Sequence, residues 1–244
     1  PTDLSGLGKL KNLRRLTLEQ AHGIESLSWL APLQQLEELD VQSAQVSDLR
    51  PLSKLRKLKR LLLDELHKVR ALRALEDLHA LEELSLSGSS VVDLRPLAKL
   101  KQLRNLALGC KVRELQPVAG LVAIEELRLC AESIQDLKPL IPLNRLRTLW
   151  ISWAKDLDLA PLARLRALER VDLRMASVRH LTALMEPPKL KILSLCLIKN
   201  SRQALNAIRR ARRDMTIRNH DGCRATRFNL QVTPSGNKLQ PATP

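Results

Sequence analysis

The sequence predicts an α/β solenoid, with a parallel sheet lining its concave face and short helical or extended segments on its convex face. Three observations carry this expectation. Leucine recurs at nearly every third position through most of the 244 residues. Each such run ends in an alternating triplet, as in Leu106-Ala107-Leu108, the signature of a short strand. The pattern also repeats as a whole: segments starting at Leu27, Leu49, Leu72, Leu94, Leu115, Leu137 and Leu159 match one another. A worn copy starts at Leu181 and a first one lies around Leu4 to Ser26, making nine units of about 22 residues. That length suits one coil of a stacked repeat protein.

Other readings of the leucines fail on geometry. At about 100° per residue, a step of three falls about 60° short of an α-helical turn. Leu94, Leu97, Leu100, Leu103 and Leu106 would then wind around a cylinder instead of forming a stripe. A coiled coil needs a spacing near 3.5, which is absent. In a coil, the two strand leucines point inward and the residue between them points outward. The remaining leucines close the core from the far side, and no unit buries its own without a neighbour.

The repeats resemble the leucine-rich repeat family over about residues 4 to 200. The junctions "DLRPL", "DLKPL" and "DLAPL" at Asp48, Asp93, Asp136 and Asp158 look most like the short-repeat, internalin-like bacterial type. They are also similar to the 22-residue repeats of phosphatase regulatory subunits. The family usually carries an asparagine three residues after the second strand leucine. Here that position holds Ala21, Ala44, Leu66, Ser89, Lys111, Glu132, Ala154, Ala176 and Ile198, so the asparagine ladder is missing. The resemblance implies non-catalytic recognition of another protein on the concave face. In a bacterial setting the role would be that of an effector, an immunity partner or a sensor component.

The chain divides into a solenoid over residues 1–200, a cap over 201–232 and a disordered tail over 233–244. After Asn200 the leucine period stops, and Ala204, Leu205, Ile208 and Ala211 fall on one helical face with Ser201 as N-cap. This amphipathic helix, with a strand near Met215 to Arg218, would cover the last core layer. "RFNLQV" from Arg227 would add a further short strand. The first repeat shows no comparable cap, so a preceding domain, a partner or a second copy is expected over its strand edge.

Composition narrows the function classes. One phenylalanine, three tryptophans and no tyrosine argue against base-stacking RNA modules. No apolar run approaches a membrane span, and no signal peptide heads the chain. The formal net charge is +15, of which +7 lies from Ser201 onward, where nine basic residues face two acidic ones. Most of the lysines and arginines fall at solvent-facing repeat positions, which keeps a leucine-rich body soluble. The competing reading is a polyanion or nucleic-acid binder acting through convex lysines and Arg209, Arg210, Arg212 and Arg213.

The four cysteines read as free thiols in a reducing cytoplasm. Cys130 and Cys196 share a column three repeats apart, about 14 Å at strand spacing and beyond the roughly 7 Å reach of a disulfide. Cys110, by alternation, falls on the other side of its strand from Cys130, and Cys223 lies in the tail.

No catalytic constellation appears. His22, His67, His79, His180 and His220 are scattered over unrelated repeats with no zinc spacing. There is no phosphate-binding loop and no nucleophile elbow. The carboxylate pairs Glu37-Glu38, Glu82-Glu83 and Glu125-Glu126 occupy equivalent repeat slots. The chain is read as a non-enzyme with no cofactor, no metal and no small-molecule substrate.

The sheet face remains. Alternation gives each strand three outward residues, among them Arg60-Leu62-Asp64, Glu83-Ser85-Ser87 and Asn105-Ala107-Gly109. Three later strands show Glu126-Arg128-Cys130, Thr148-Trp150-Ser152 and Arg170-Asp172-Arg174. Tryptophan and arginine dominate binding hot spots. Trp150 is therefore the expected anchor, with Arg128, Arg170 and Arg174 for a partner's carboxylates and Glu126, Thr148, Ser152 and Asp172 around them. The plainer role for Trp150 is stacking on Arg128 as a cation–π pair. Trp153 is expected to fill a longer turn.

Overall fold

The structure, a computed structural model, describes residues 4–198 and 202–219. One parallel sheet runs its length in the order β1-β2-β3-β4-β5-β6-β7-β9-β11-β12. The first five strands are β1 (Arg15–Leu18), β2 (Glu38–Val41), β3 (Arg60–Leu62), β4 (Glu83–Leu86) and β5 (Asn105–Leu108). Next come β6 (Glu126–Cys130), β7 (Thr148–Ser152), β9 (Arg170–Arg174), β11 (Ile192–Cys196) and β12 (Thr216–Asn219). Two short strands, β8 (Leu157–Asp158) and β10 (Val178–Arg179), pair on the loops that follow β7 and β9. The register is uniform, so Leu84, Leu106, Leu127 and Leu149 stack in line.

The step of three that an α-helix rejects is resolved on the convex side by 3-10 helices. Their 3.0 residues per turn align leucines at that spacing. Leu94 and Leu100 bracket the helix Arg95–Lys99, Leu97 lies within it, and all three are buried. The aspartate of each "DLxPL" junction starts such a turn. Asp48, Asp93, Asp136 and Asp158 accept the backbone N–H of Arg50, Arg95, Lys138 and Ala160 at 2.8–2.9 Å. The following proline has no N–H to satisfy, which suits the first turn.

Without asparagines, the turns after the strands close through the main chain. Ser43, Glu65, Trp153 and Met175 adopt left-handed φ values between 48° and 59°. Their N–H groups donate to the carbonyls of Asp64, Ser87, Arg174 and Cys196 in the next coil at 2.7–3.0 Å. The core beside these turns is then filled by Ala44, Leu66, Ala154 and Ala176, where the family places its polar ladder.

Much of the charge is also accounted for. At the slot just before each strand the sign alternates between neighbours: Arg14-Arg15, Glu37-Glu38, Lys59-Arg60, Glu82-Glu83, Arg104-Asn105, Glu125-Glu126. The register brings unlike charges together, as in Arg15–Glu38 at 3.1 Å, Lys59–Glu37 at 3.2 Å and Arg104–Glu125 at 3.4 Å. Exposed pairs like these contribute little singly, but the alternation removes like-charge repulsion between stacked repeats.

At the C-terminal end, α1 (Arg202–Ala211) buries Leu205 and Ile208 against the last 3-10 helix, Leu181–Met185. Arg212, which the competing polyanion reading places in a basic cluster, is largely withdrawn from solvent. Its guanidinium donates to the carbonyls of Met185, Pro187 and Leu190 at 2.7–3.1 Å and pairs with Asp214. Ser201, the "RFNLQV" segment, Cys223 and the tail from residue 233 lie outside the described residues. At the other end β1 is an edge strand, and Leu13, Leu16 and Leu18 are only partly buried.

The cysteine reading is corrected. Cys110 and Cys130 form a disulfide with a Cα–Cα separation of 4.6 Å. Alternation misplaced Cys110 because β5 ends at Leu108. The chain reverses at Gly109, where an added Cβ would meet the carbonyl oxygens of Leu86 and Ser89 at 3.0 Å. That reversal swings Cys110 across to its neighbour. Cys196 is disulfide-bonded as well, and none of the described cysteines is free.

Candidate protein-recognition surface

The parallel register assembles the expected cluster. Arg128, Trp150 and Asp172 occupy the central column of β6, β7 and β9, with Glu126, Thr148 and Arg170 on one side and Cys130, Ser152 and Arg174 on the other. The Arg128 guanidinium lies over the Trp150 ring at 4.5 Å from its centroid, so the stacking expected as the plainer role is present. Burial lowers the pKa of Arg128, the charge of Glu126 opposes that shift, and the nearest approach of the two is 3.9 Å. The stack holds both side chains in place in advance, which lowers the entropic cost of contact with a partner.

The other members divide by access. Arg174 has a half-exposed side chain and donates from Nε to Asp172 Oδ1 at 2.8 Å. Asp172 is buried and serves that arginine. Ser152 is 2% exposed, and its hydroxyl donates to the Leu129 carbonyl at 3.3 Å. It leaves the exposed surface that alternation assigned it. Thr148, Glu126 and Arg170 are partly exposed.

The middle of the concave face is more closed than expected. Leu62, Ser85, Ala107 and Ser194 are each under 9% exposed, although all point away from the core. A curved sheet crowds the side chains on its inner side, so pointing outward does not guarantee contact with solvent. Small residues leave a shallow notch of about 40 Å³, lined by Glu83, Ser85, Asn105, Ala107, Glu126 and Arg128.

The two ends of this face differ in charge. Glu19, Glu38, Asp40, Asp64 and Glu83 outnumber Arg15 and Arg60 over the first four strands, whereas Arg170, Arg174 and Arg218 outnumber Asp172 at the far end. Desolvation raises the pKa of Asp64, and the Ser85 hydroxyl bonded to its carboxylate only partly offsets this. Asp40 is raised for the same reason.

Trp153 does not fill its turn. It is 41% exposed, with a left-handed backbone. No group of three or more histidines, cysteines or carboxylates among the described residues could hold a metal ion. No described helix is long and apolar enough to cross a membrane.

Stacked coils, an unbroken parallel sheet, convex 3-10 helices and a terminal helix define the class: the chain is a leucine-rich repeat solenoid. Among solved structures it is similar to internalin C2 of Listeria monocytogenes, at 28% identity and a TM-score of 0.67 over 74% of this chain and 80% of that one. Internalin F of the same organism aligns at 24% identity and a TM-score of 0.68, covering 91% and 72%. A leucine-rich repeat protein of Leptospira interrogans aligns at 21% identity and a TM-score of 0.61, covering 87% of this chain and 62% of that one. No protein-family model matches the sequence, and no curated protein matches it.

Proposed function

We propose that this chain is a non-catalytic recognition module that binds a protein partner on the concave face of repeats six to eight. The observation that carries the reading is the Arg128–Trp150 stack at 4.5 Å, set in the centre of the sheet with Arg170 and Arg174 beside it. Large, pre-ordered aromatic and guanidinium groups are the typical anchors of protein interfaces. Repeat proteins supply them on extended concave surfaces. The solenoid resemblance supports the non-enzymatic reading.

The test is a pull-down with the wild-type chain and with Trp150→Ala/Arg128→Ala, each with and without nuclease. A stoichiometric protein lost with the double variant and indifferent to nuclease is the expected result. Nucleic acid recovered equally by both chains would replace this reading with polyanion binding. Engagement of Arg212 in the cap weakens that rival, because it leaves Arg209, Arg210 and Arg213 as its terminal cluster.

The Cys110–Cys130 cross-link supports an oxidising compartment in place of the reducing cytoplasm expected from free thiols. Alkylation of native material before and after reduction checks this. Thiols that react without reduction would return the chain to a reducing compartment.

A further inference from the structure

Seven of the nine repeats turn through a left-handed residue two positions after the second strand apolar residue. In the first four repeats these are Gln20, Ser43, Glu65 and Gly88, and in the last three they are Trp153, Met175 and Leu197. Cys110, one half of the disulfide, and Ala131, next to its other half Cys130, fill that place in the two repeats between. Glycine or a small polar residue tolerates this conformation best, and the first four positions, polar or glycine, follow that logic in part. The last three do not. They place large apolar side chains on a backbone that disfavours them and still leave them outside the core, with Trp153 and Leu197 41% and 49% exposed and Met175 partly so.

The fold explains neither choice. The main-chain bonds of the turn are the same with Ser43 as with Trp153, and the core beneath is already filled by Ala44 and Ala154. Strained residues that persist without a structural need are candidates for a functional role. Consecutive repeats stack these three at strand spacing, so they form an apolar ridge spanning about 10 Å along the rim of the sheet. The ridge borders the basic end of the concave face. Arg174 immediately precedes Met175, and Arg170 and Arg218 lie on β9 and β12, while the nearby Asp156 is paired with Arg179 at 3.2 Å.

We propose that Trp153, Met175 and Leu197 form a second half of the binding surface, which takes a partner segment carrying apolar side chains interspersed with carboxylates. The apolar groups lie on the ridge, and the carboxylates reach over the rim to Arg170, Arg174 and Arg218. This deepens the concave-face reading and rests on it for the identity of the partner as a protein.

A random twelve-residue peptide display library, panned on the immobilised oxidised chain, tests both. The expected selection is peptides rich in Leu, Ile, Phe or Trp with Asp or Glu between them. Their affinity, read by fluorescence polarisation, should fall at least tenfold in Trp153→Gln/Met175→Ser/Leu197→Ser. These substitutions lie at exposed or half-exposed turn positions, and thermal unfolding of the variant confirms that it is folded. Binding lost in Trp150→Ala but unchanged in the ridge variant overturns the ridge and leaves the concave reading standing. The reverse pattern keeps the ridge and removes Trp150 as anchor. Selection of basic peptides, or no enrichment above background, overturns the proposal.

Discussion

The first four repeats and the last three share one frame and present opposite surfaces. Both stack the same leucine columns and both turn through left-handed residues, closed by the same main-chain bonds at Ser43 and Glu65 as at Trp153 and Met175. The early repeats show an acidic concave face and turns made of Gln20, Ser43, Glu65 and Gly88. The late ones show Arg170 and Arg174, the tryptophan Trp150 and an apolar ridge. Between them, at the Cys110–Cys130 disulfide, the regular turn is interrupted. The difference teaches that leucine spacing is set by packing everywhere, while the lining is free to diverge wherever packing does not constrain it.

The largest effects should be blind to the divide. Leu84→Ala and Leu149→Ala each remove a buried side chain from the same column, and each is expected to cost about 2–5 kcal/mol in urea unfolding. A large inequality between them would mean that the two halves differ in packing as well as in surface. Removing the boundary cross-link comes next. Cys110→Ser/Cys130→Ser opens a 20-residue separation, for which chain entropy suggests a loss of about 3 kcal/mol. An unchanged unfolding midpoint would show that the junction does not depend on the disulfide.

A pair of turn substitutions sharpens the contrast. Gly88 sits at φ 72°, and a Cβ there would meet the Glu65 Cα at 3.1 Å. Gly88→Ala should therefore destabilise by about 1–2 kcal/mol. Trp153→Gly relieves a similar backbone cost and should be close to neutral in stability while weakening partner binding. A Trp153→Gly chain that unfolds as readily as Gly88→Ala would mean that the tryptophan serves the fold.

The smallest expected effect concerns pH. Burial raises the folded-state pKa of Asp64. Its desolvation penalty is thus present at neutral pH and is relieved as pH falls through that raised value. Asp64→Asn should raise the Tm by roughly 1–3 °C at pH 7, with the gain shrinking toward pH 4. The lysine-paired carboxylates of Glu37, Glu76 and Glu132 run the other way. Hydrogen bonds and charge from Lys59, Lys99 and Lys155 hold them below the usual range, so the stability they lend at neutral pH is lost on acidification. A gain for Asp64→Asn that grows as pH falls would reverse the assignment.

The solenoid, its coil length and the strand columns were legible because a leucine missing from a stacked coil leaves a hole no neighbour can fill. The "DLxPL" junction was legible as a motif, and its physical content, an aspartate capping a 3-10 turn, needed the hydrogen bonds. The Arg128–Trp150 neighbourhood followed from register alone. Ser152 and Asp172 were misjudged as accessible because alternation reports direction and cannot report crowding on a curved face.

By itself, then, the sequence determined the coil and the side of the sheet on which each residue within a strand points, since both follow from periodicity and burial along one strand. Only the tertiary structure decided the disulfide, the left-handed turns, the alternating charge contacts and the apolar ridge. Each of these depends on where a chain reversal places residues about 22 positions apart, and no local period encodes that placement.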